Sequence, residues 1–154
     1  MQTLGLTSPA FGNGDRIPAH HACTGKNDSP PLAWEAAPEG TASLALICED
    51  PDCATGTFIH WILYNIPPGT TSLPAGIPHK PVLPDGAAQG MNDFGKMEYG
   101  GPCPPPGKPH HYFFRLYALD TLLHLRAPVT RKSVGAAMEG HVIARGELVG
   151  IFSR

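Results

Sequence analysis

The chain has 154 residues, 42% of them hydrophobic and 16% charged, with a formal net charge of −2. That length suits one domain with a real core, and the apolar content excludes a disordered chain. The mixed, slightly acidic charge excludes the basic footprint of a nucleic-acid binder.

Glycine and proline number 18 each and are scattered between apolar runs. This favours a loop-rich β domain over a linker or a collagen-like repeat. No run approaches the ~18 apolar residues that span a bilayer. The N-terminal stretch MQTLGLTSPAF lacks a positively charged n-region. A soluble, cytoplasmic protein without stable membrane insertion is expected, forming a single domain over 1–154.

In chain order, residues 3–11 have β character without a helical period. Residues 12–15 (GNGD) form a turn, because these residue types tolerate left-handed backbone. Residues 17–24 read as a short irregular or strand segment, and 32–34 as a short strand with Trp34 as a core anchor. Residues 44–49 are mostly apolar, as in a strand buried on both faces. The acidic turn Asp50-Pro51-Asp52 follows, and Phe58 to Asn65 returns as a second central strand. Strict alternation puts Phe58, His60, Ile62 and Tyr64 on one face and Ile59, Trp61, Leu63 and Asn65 on the other. A proline-punctuated excursion from 70 to 99 contains one short strand near 87–91. Residues 100–109 (GGPCPPPGKP) form a stiff, shaped loop. His110 to Leu119 is another central strand, with His110, Tyr112, Phe114 and Leu116 on one side. Thr130 is a good N-cap for a helix from 131 to 140 that presents Val134, Ala137, Met138 and His141 on one face. Residues 142–152 read as a final strand. One late helix among several strands points to a β-sandwich with minor helical additions.

The four cysteines show no zinc-ribbon spacing. Cys48 reads as a buried small hydrophobe. A Cys53–Cys103 or a Cys23–Cys103 bridge fits the spacing, and the sequence does not decide between them.

Taken singly, the polar motifs have bland readings. DPD is a good turn, a lone core histidine usually pairs with a carbonyl, and an i, i+2 His-Tyr pair on a strand can be packing. Together they converge. Asp50, Asp52, His60, His110, Tyr112 and the Gly101-Pro102 turn form a candidate anion pocket at one end of the sheet. Imidazole nitrogens, a phenol and the amides of the glycine loop can donate to phosphate or carboxylate oxygens. Aspartates facing an anion would repel it. Asp50 and Asp52 are therefore assigned one shell back, each accepting an imidazole N–H and fixing its tautomer.

EDPD at 49–52, HWILYNIP at 60–67, YGGPCPPPG at 99–107, HHYFFRLYALD at 110–120 and GHVIARGELVG at 140–150 resemble the phosphatidylethanolamine-binding protein family. The likeness is strongest to its bacterial and archaeal branch, the Raf kinase inhibitor-like proteins. LTSPAF at 6–11 and SPPLAW at 29–34 extend it over nearly the whole chain. The resemblance implies a mainly β, Greek-key-like sandwich: a large central antiparallel sheet, a smaller second sheet and one or two short helices. It also implies a small cavity for phosphate or a phosphorylated headgroup, mapping onto Asp50, Asp52, His60, Gly101, Pro102, His110 and Tyr112. His110 is carried over because the family pattern is His-x-Tyr, which leaves His111 on the opposite face as a structural residue. Two departures stand out. Cys53-Ala54-Thr55 replaces the usual proline-containing segment after DPD, and Cys23-Thr24-Gly25 stands where Cys-Asp-Gly is common.

The function expected is that of a binding or regulatory protein, without catalytic activity or cofactor, that takes a small anion or phosphorylated ligand. The resemblance adds modulation of a protein kinase or protease, and a homodimer. One alternative is a hydrolase of phosphorylated or ester substrates using Cys53 or Cys103, against which no Gly-x-Ser-x-Gly elbow is present. Another is a zinc protein using His60, His110 and an aspartate.

Overall fold

The structure, a computed structural model, describes residues 2–154. Its elements are β1 (Gln2–Thr3), β2 (Leu32–Ala33), β3 (Ser43–Asp50), β4 (Phe58–Ile66), β5 (Ser72–Leu73), β6 (Ala88–Gln89), β7 (His110–Leu119), α1 (Arg131–Met138) and β8 (Val142–Phe152). The main sheet has the order β1-β8-β7-β3-β4-β6, and β2 pairs with β5 in a separate two-stranded sheet. Within the main sheet, β3, β4 and β6 follow one another and β7 returns beside β3, which is a Greek key. The sheet is not wholly antiparallel as expected, because β1 runs parallel to β8 along one edge. Residues 17–24 contain a 3-10 turn at Ala19–His21 rather than a strand. No helix among the described residues is long and apolar enough to cross a membrane.

β3 is buried along its whole length, as its unbroken apolar run requires. One face of the sheet packs Leu46, Cys48, Trp61, Tyr112 and Phe114 into a large core beneath the loops. Trp34 joins that core and donates its indole N–H to the Thr70 carbonyl at 2.9 Å. The other face packs Ile47, Ile59, Ile62 and Tyr64 against Val134 and Met138 of α1. These two helix residues lie four apart and so share one stripe. Thr130 caps the helix: its hydroxyl accepts from the Ser133 amide at 3.2 Å, and the Ser133 hydroxyl accepts from the Thr130 amide at 2.9 Å.

β4 breaks the alternation read from its sequence, and two bulges are the reason. Cys48 faces Trp61 while the next residue, Glu49, faces Ile59, so His60 is an extra residue in the ladder. Ile59 accordingly packs with Ile62 and Tyr64, and not with Trp61 and Leu63. His60 turns instead toward Tyr112, on the large-core face. The second irregularity lies between the Leu46↔Leu63 and Leu44↔Ile66 pairs, where Asn65 adopts φ +54°. Asn65 tolerates this left-handed geometry, and both ends of its amide bind Leu123, to the carbonyl and from the amide, each at 2.8 Å.

Asn65 thus couples strand geometry to the loop that follows β7. Replacing it with alanine loses two hydrogen bonds and strains φ, and should cost about 2–4 kcal/mol. Asn65→Gly relieves the strain alone and should cost about 1 kcal/mol less than Asn65→Ala. Urea denaturation of the two variants measures the order; equal costs would show that the backbone carries no strain there.

Candidate functional site

The bulge at His60, the end of β3 and the start of β7 meet at one end of the main sheet. Asp50, the last residue of β3, is buried. Its Oδ2 accepts from His110 Nδ1 at 2.6 Å, and its Oδ1 accepts from the Asp52 amide at 2.7 Å. The proline in DPD makes this tight return, and the carboxylate both closes its own turn and orients the histidine of the neighbouring strand.

Asp52 has a different partner from the one expected. Its exposed carboxylate accepts from His111, through both the backbone amide at 2.8 Å and Nδ1 at 2.7 Å. The side-chain bond from His111 holds the Asp52 carboxyl below the usual range, outweighing the opposing effect of burial. His111 lies on the outer face of β7, as the His-x-Tyr register implies. Asp52 therefore anchors the turn to the start of β7 and does not orient His60 or His110.

His60 is held by a carbonyl and not by a carboxylate. Its Nδ1 donates to the Gly100 carbonyl at 2.6 Å, and the Gly100 amide donates back to the His60 carbonyl at 3.0 Å. A carbonyl only accepts, so the proton sits on Nδ1 and the tautomer is fixed. The ring is buried, and burial holds its pKa below the ordinary histidine value, outweighing the Gly100 carbonyl and Asp50, which act to raise it. His60 is then neutral, with a lone pair on Nε2.

Tyr112 completes the cluster. Its ring meets that of His60 edge to face, with centroids 5.1 Å apart. Its hydroxyl is buried and has no hydrogen-bond partner. Burial, then the nearby charge of Asp50, push the phenol well above its ordinary pKa, so it keeps its proton.

The Gly-Pro loop forms a wall of the site, but its Gly100 and Gly101 amides are already used. The Gly101 amide donates to Asn27 Oδ1 at 2.9 Å, and the Pro102 carbonyl accepts from the Cys23 amide at 3.0 Å. Tyr99 donates its hydroxyl to the His21 carbonyl at 2.6 Å. A Cβ on Gly101 would collide with the His21 carbonyl and Asn27 Oδ1, so only glycine fits this close crossing. The Cys23–Cys103 disulfide locks the same two loops together and settles the pairing that the sequence left open. Cys103 has no free thiol, whereas Cys53 is free and its sulfur lies 3.6 Å from the Thr55 hydroxyl. Among the described residues, no three His, Cys, Asp or Glu side chains are grouped to hold a metal ion. His60, His110 and an aspartate therefore do not form a zinc triad.

The sequence reading missed a further aromatic. Phe94 packs edge to face on Phe58 and on His60, at centroid distances of 4.8 and 5.5 Å. Its loop is docked on the bulge: the Asp93 amide donates to the Ile59 carbonyl, and the Ile59 amide donates to Asp93 Oδ2 at 2.7 Å. The NDFG turn at 92–95 was the available signal, an aromatic set among turn formers, but nothing local shows which strand such a turn meets.

A Greek-key β domain built on one large mixed sheet, with a small second sheet and one helix, falls in a class of mainly β binding proteins. The phosphatidylethanolamine-binding protein family model matches residues 7–153. The chain is 48% identical over 151 residues to a UPF0098 protein of Methanothermobacter thermautotrophicus, covering 98% of this chain and 99% of that one. A solved Chlamydia trachomatis structure, described as a phosphatidylethanolamine-binding protein homolog, superposes with a TM-score of 0.90 at 39% identity. It is covered to 99% and covers all of this chain. YbcL of E. coli, described as a member of the mammalian PEBP family, also gives 0.90, at 36% identity and 98% coverage of both chains. This chain belongs to the phosphatidylethanolamine-binding protein family.

The neutral state of His60 has a measurable consequence. The unfolded chain takes up the imidazole proton near pH 6.5, before the folded chain does, so this residue's contribution to stability is lost as pH falls below that value. An NMR titration of the His60 ring should show a midpoint below about 6.5. A midpoint above it would mean that the imidazolium is favoured in the fold.

Proposed function

We propose that this protein is a non-catalytic binding protein whose His60–His110–Tyr112 cluster receives phosphate or a phosphorylated group. The observation that carries this reading is the Tyr112 hydroxyl. A buried hydroxyl without a partner is destabilising by about 1–3 kcal/mol, and its persistence is understandable if a ligand completes it. The groups around it are already oriented. Asp50 fixes the His110 ring by its Nδ1, leaving Nε2 for a ligand. Gly100 fixes His60 so that Nε2 accepts. Such a site suits a phosphate that still carries one proton: the acidic O–H donates to His60 Nε2, an anionic oxygen accepts from the Tyr112 hydroxyl, and His110 as the imidazolium paired with the Asp50 carboxylate donates from Nε2 to another.

The absence of catalysis, modulation of a protein kinase or protease, and a homodimer belong to this proposal and rest on family membership. A cytoplasmic location does too, and it has to accommodate the Cys23–Cys103 disulfide, since such bonds persist most readily in oxidising compartments. The hydrolase alternative keeps only Cys53 as a thiol nucleophile.

Tyr112→Phe separates function from fold. It removes an orphaned hydroxyl, so the variant should be more stable by about 1 kcal/mol in urea denaturation. It should also bind inorganic phosphate roughly tenfold more weakly by calorimetry, the loss of one hydrogen bond to a charged group. Unchanged phosphate affinity would exclude the cluster as the anion site.

A further inference from the structure

The Cys23–Cys103 disulfide lies outside the ladders of the main sheet. It joins the segment 21–27, at the end of the 3-10 turn, to the Gly/Pro loop that starts at Gly100 and runs into His110 at the head of β7. That loop connects the two histidines of the site: Gly100 holds His60 at one end, and His110 stands at the other. Its later half is tied to the end of the chain. The Gly107 amide donates to the Arg154 carbonyl at 3.2 Å, and Arg154 Nε donates to the Pro104 carbonyl at 2.6 Å.

Between these anchors the loop is held down on the segment 21–27. Hydrogen bonds do part of this: the Gly101 amide to Asn27 Oδ1, the Cys23 amide to the Pro102 carbonyl, and the Tyr99 hydroxyl to the His21 carbonyl. The disulfide is the covalent tie, and it spans a sequence separation of 80 residues. Both of its cysteines are half-buried, and Cys23 lines a cavity of about 230 Å³ bordered by Gly100, Gly101 and Asn27. A small thiol therefore reaches the bond without unfolding of the chain, and access is one condition for exchange. The free thiols are placed differently. Cys48 is buried in β3, where burial pushes its pKa well up and keeps it inert. Cys53 is half-buried in the turn after β3.

We propose that Cys23–Cys103 is a reversible redox latch, whose reduction by a dithiol loosens the loop from Gly100 to His110, frees the orientation of His60 and weakens anion binding. A reductant thiolate attacks Cys23 Sγ, the S–S bond breaks, and Cys103 leaves as a thiolate that takes up a proton. The reductant's second thiolate then attacks the mixed disulfide, which releases Cys23 as a thiol and closes the reductant's own disulfide. Two electrons and two protons pass to the protein, and a small-molecule disulfide reverses the exchange. The hydrogen bonds between the two segments survive reduction, so the loop loosens over the sheet and does not leave it. Strands β3, β4, β7 and β8 pair with one another without either cysteine. In the cytoplasmic location proposed above the bond meets such reductants, and disulfides there are usually transient and redox-sensing. The effect on His60 is independent of any ligand; the effect on phosphate rests on the anion reading above.

The test compares the intact protein before and after dithiothreitol, in a Cys53→Ser background so that alkylation counts only the latch. Iodoacetamide under native conditions should add two groups after reduction and none before, with Cys48 buried. Nitrogen NMR shifts should show His60 as the single Nδ1–H tautomer before reduction and as a mixture after it. Hydrogen exchange of the Gly101 amide should accelerate at least about tenfold while the β7 amides keep their protection. Inorganic phosphate should bind at least about threefold more weakly to the reduced protein by calorimetry. Glutathione disulfide should restore every signal, and Cys23→Ser/Cys103→Ser should behave as the reduced protein. A bond that opens only in denaturant overturns the proposal, as does a reduced protein whose β7 amides lose protection together with Gly101; the disulfide is then a structural staple. An unchanged His60 tautomer and Gly101 exchange overturn it too, as does equal phosphate affinity in the two states. If phosphate binds in neither state while His60 and Gly101 respond, the anion reading fails and the latch stands.

Discussion

The hydrogen bond from His60 Nδ1 to the Gly100 carbonyl joins the two halves of the site. On one side is a strand whose ladder is interrupted so that a histidine can turn out of register. On the other is a loop rigidified by proline, crossed closely at Gly101 and tied by a disulfide to the segment beneath it. Without that bond, the His60 tautomer would be open. The reciprocal bond from the Gly100 amide to the His60 carbonyl makes the junction a short piece of ladder between a bulge and a loop. Bulges often occur where a sheet must re-aim a side chain, and this one turns His60 toward Tyr112.

The polar accounting at the site is uneven, and the unevenness is informative. Asp50, Asp52, Gly100, Gly101 and Pro102 all have partners within the chain. These groups build the site and need no ligand. What remains after that accounting is a phenol with its proton and no acceptor, beside a neutral imidazole. Interiors tolerate such an orphan only where something compensates. The supporting groups thus hold the geometry, while a small number of free atoms define what can be recognised.

Much of this was legible from residue order. β7 begins and ends where its alternating pattern places it, with His111, Phe113, Arg115 and Tyr117 on the less buried face and Tyr112, Phe114 and Leu116 buried on the other. Thr130 marked the helix start by its chemistry alone. The Asp50–His110 pair followed from asking what a carboxylate near an anion site must do. The sequence was silent where tertiary contacts override local pattern. A bulge has no local signal in FIHWILYN, so alternation put Ile59 and Trp61 together when they face apart. Asp52 carries the same chemistry as Asp50, and only the turn geometry sends it to His111. The Gly101 amide was expected to be free for a ligand, but Asn27, more than seventy residues earlier, reaches it first. Phe94 reaches the site because its loop docks onto a bulge: the NDFG turn is visible in the chain, but the bulged strand it meets is not.

The central claim is that an anion sits between His60 and His110 against the Tyr112 hydroxyl. Crystals grown in inorganic phosphate test it directly. The account predicts tetrahedral density with one oxygen within roughly 2.5–3.0 Å of the Tyr112 hydroxyl and others facing His60 Nε2 and His110 Nε2. Density for phosphate elsewhere, with the Tyr112 hydroxyl still unpartnered, would contradict it.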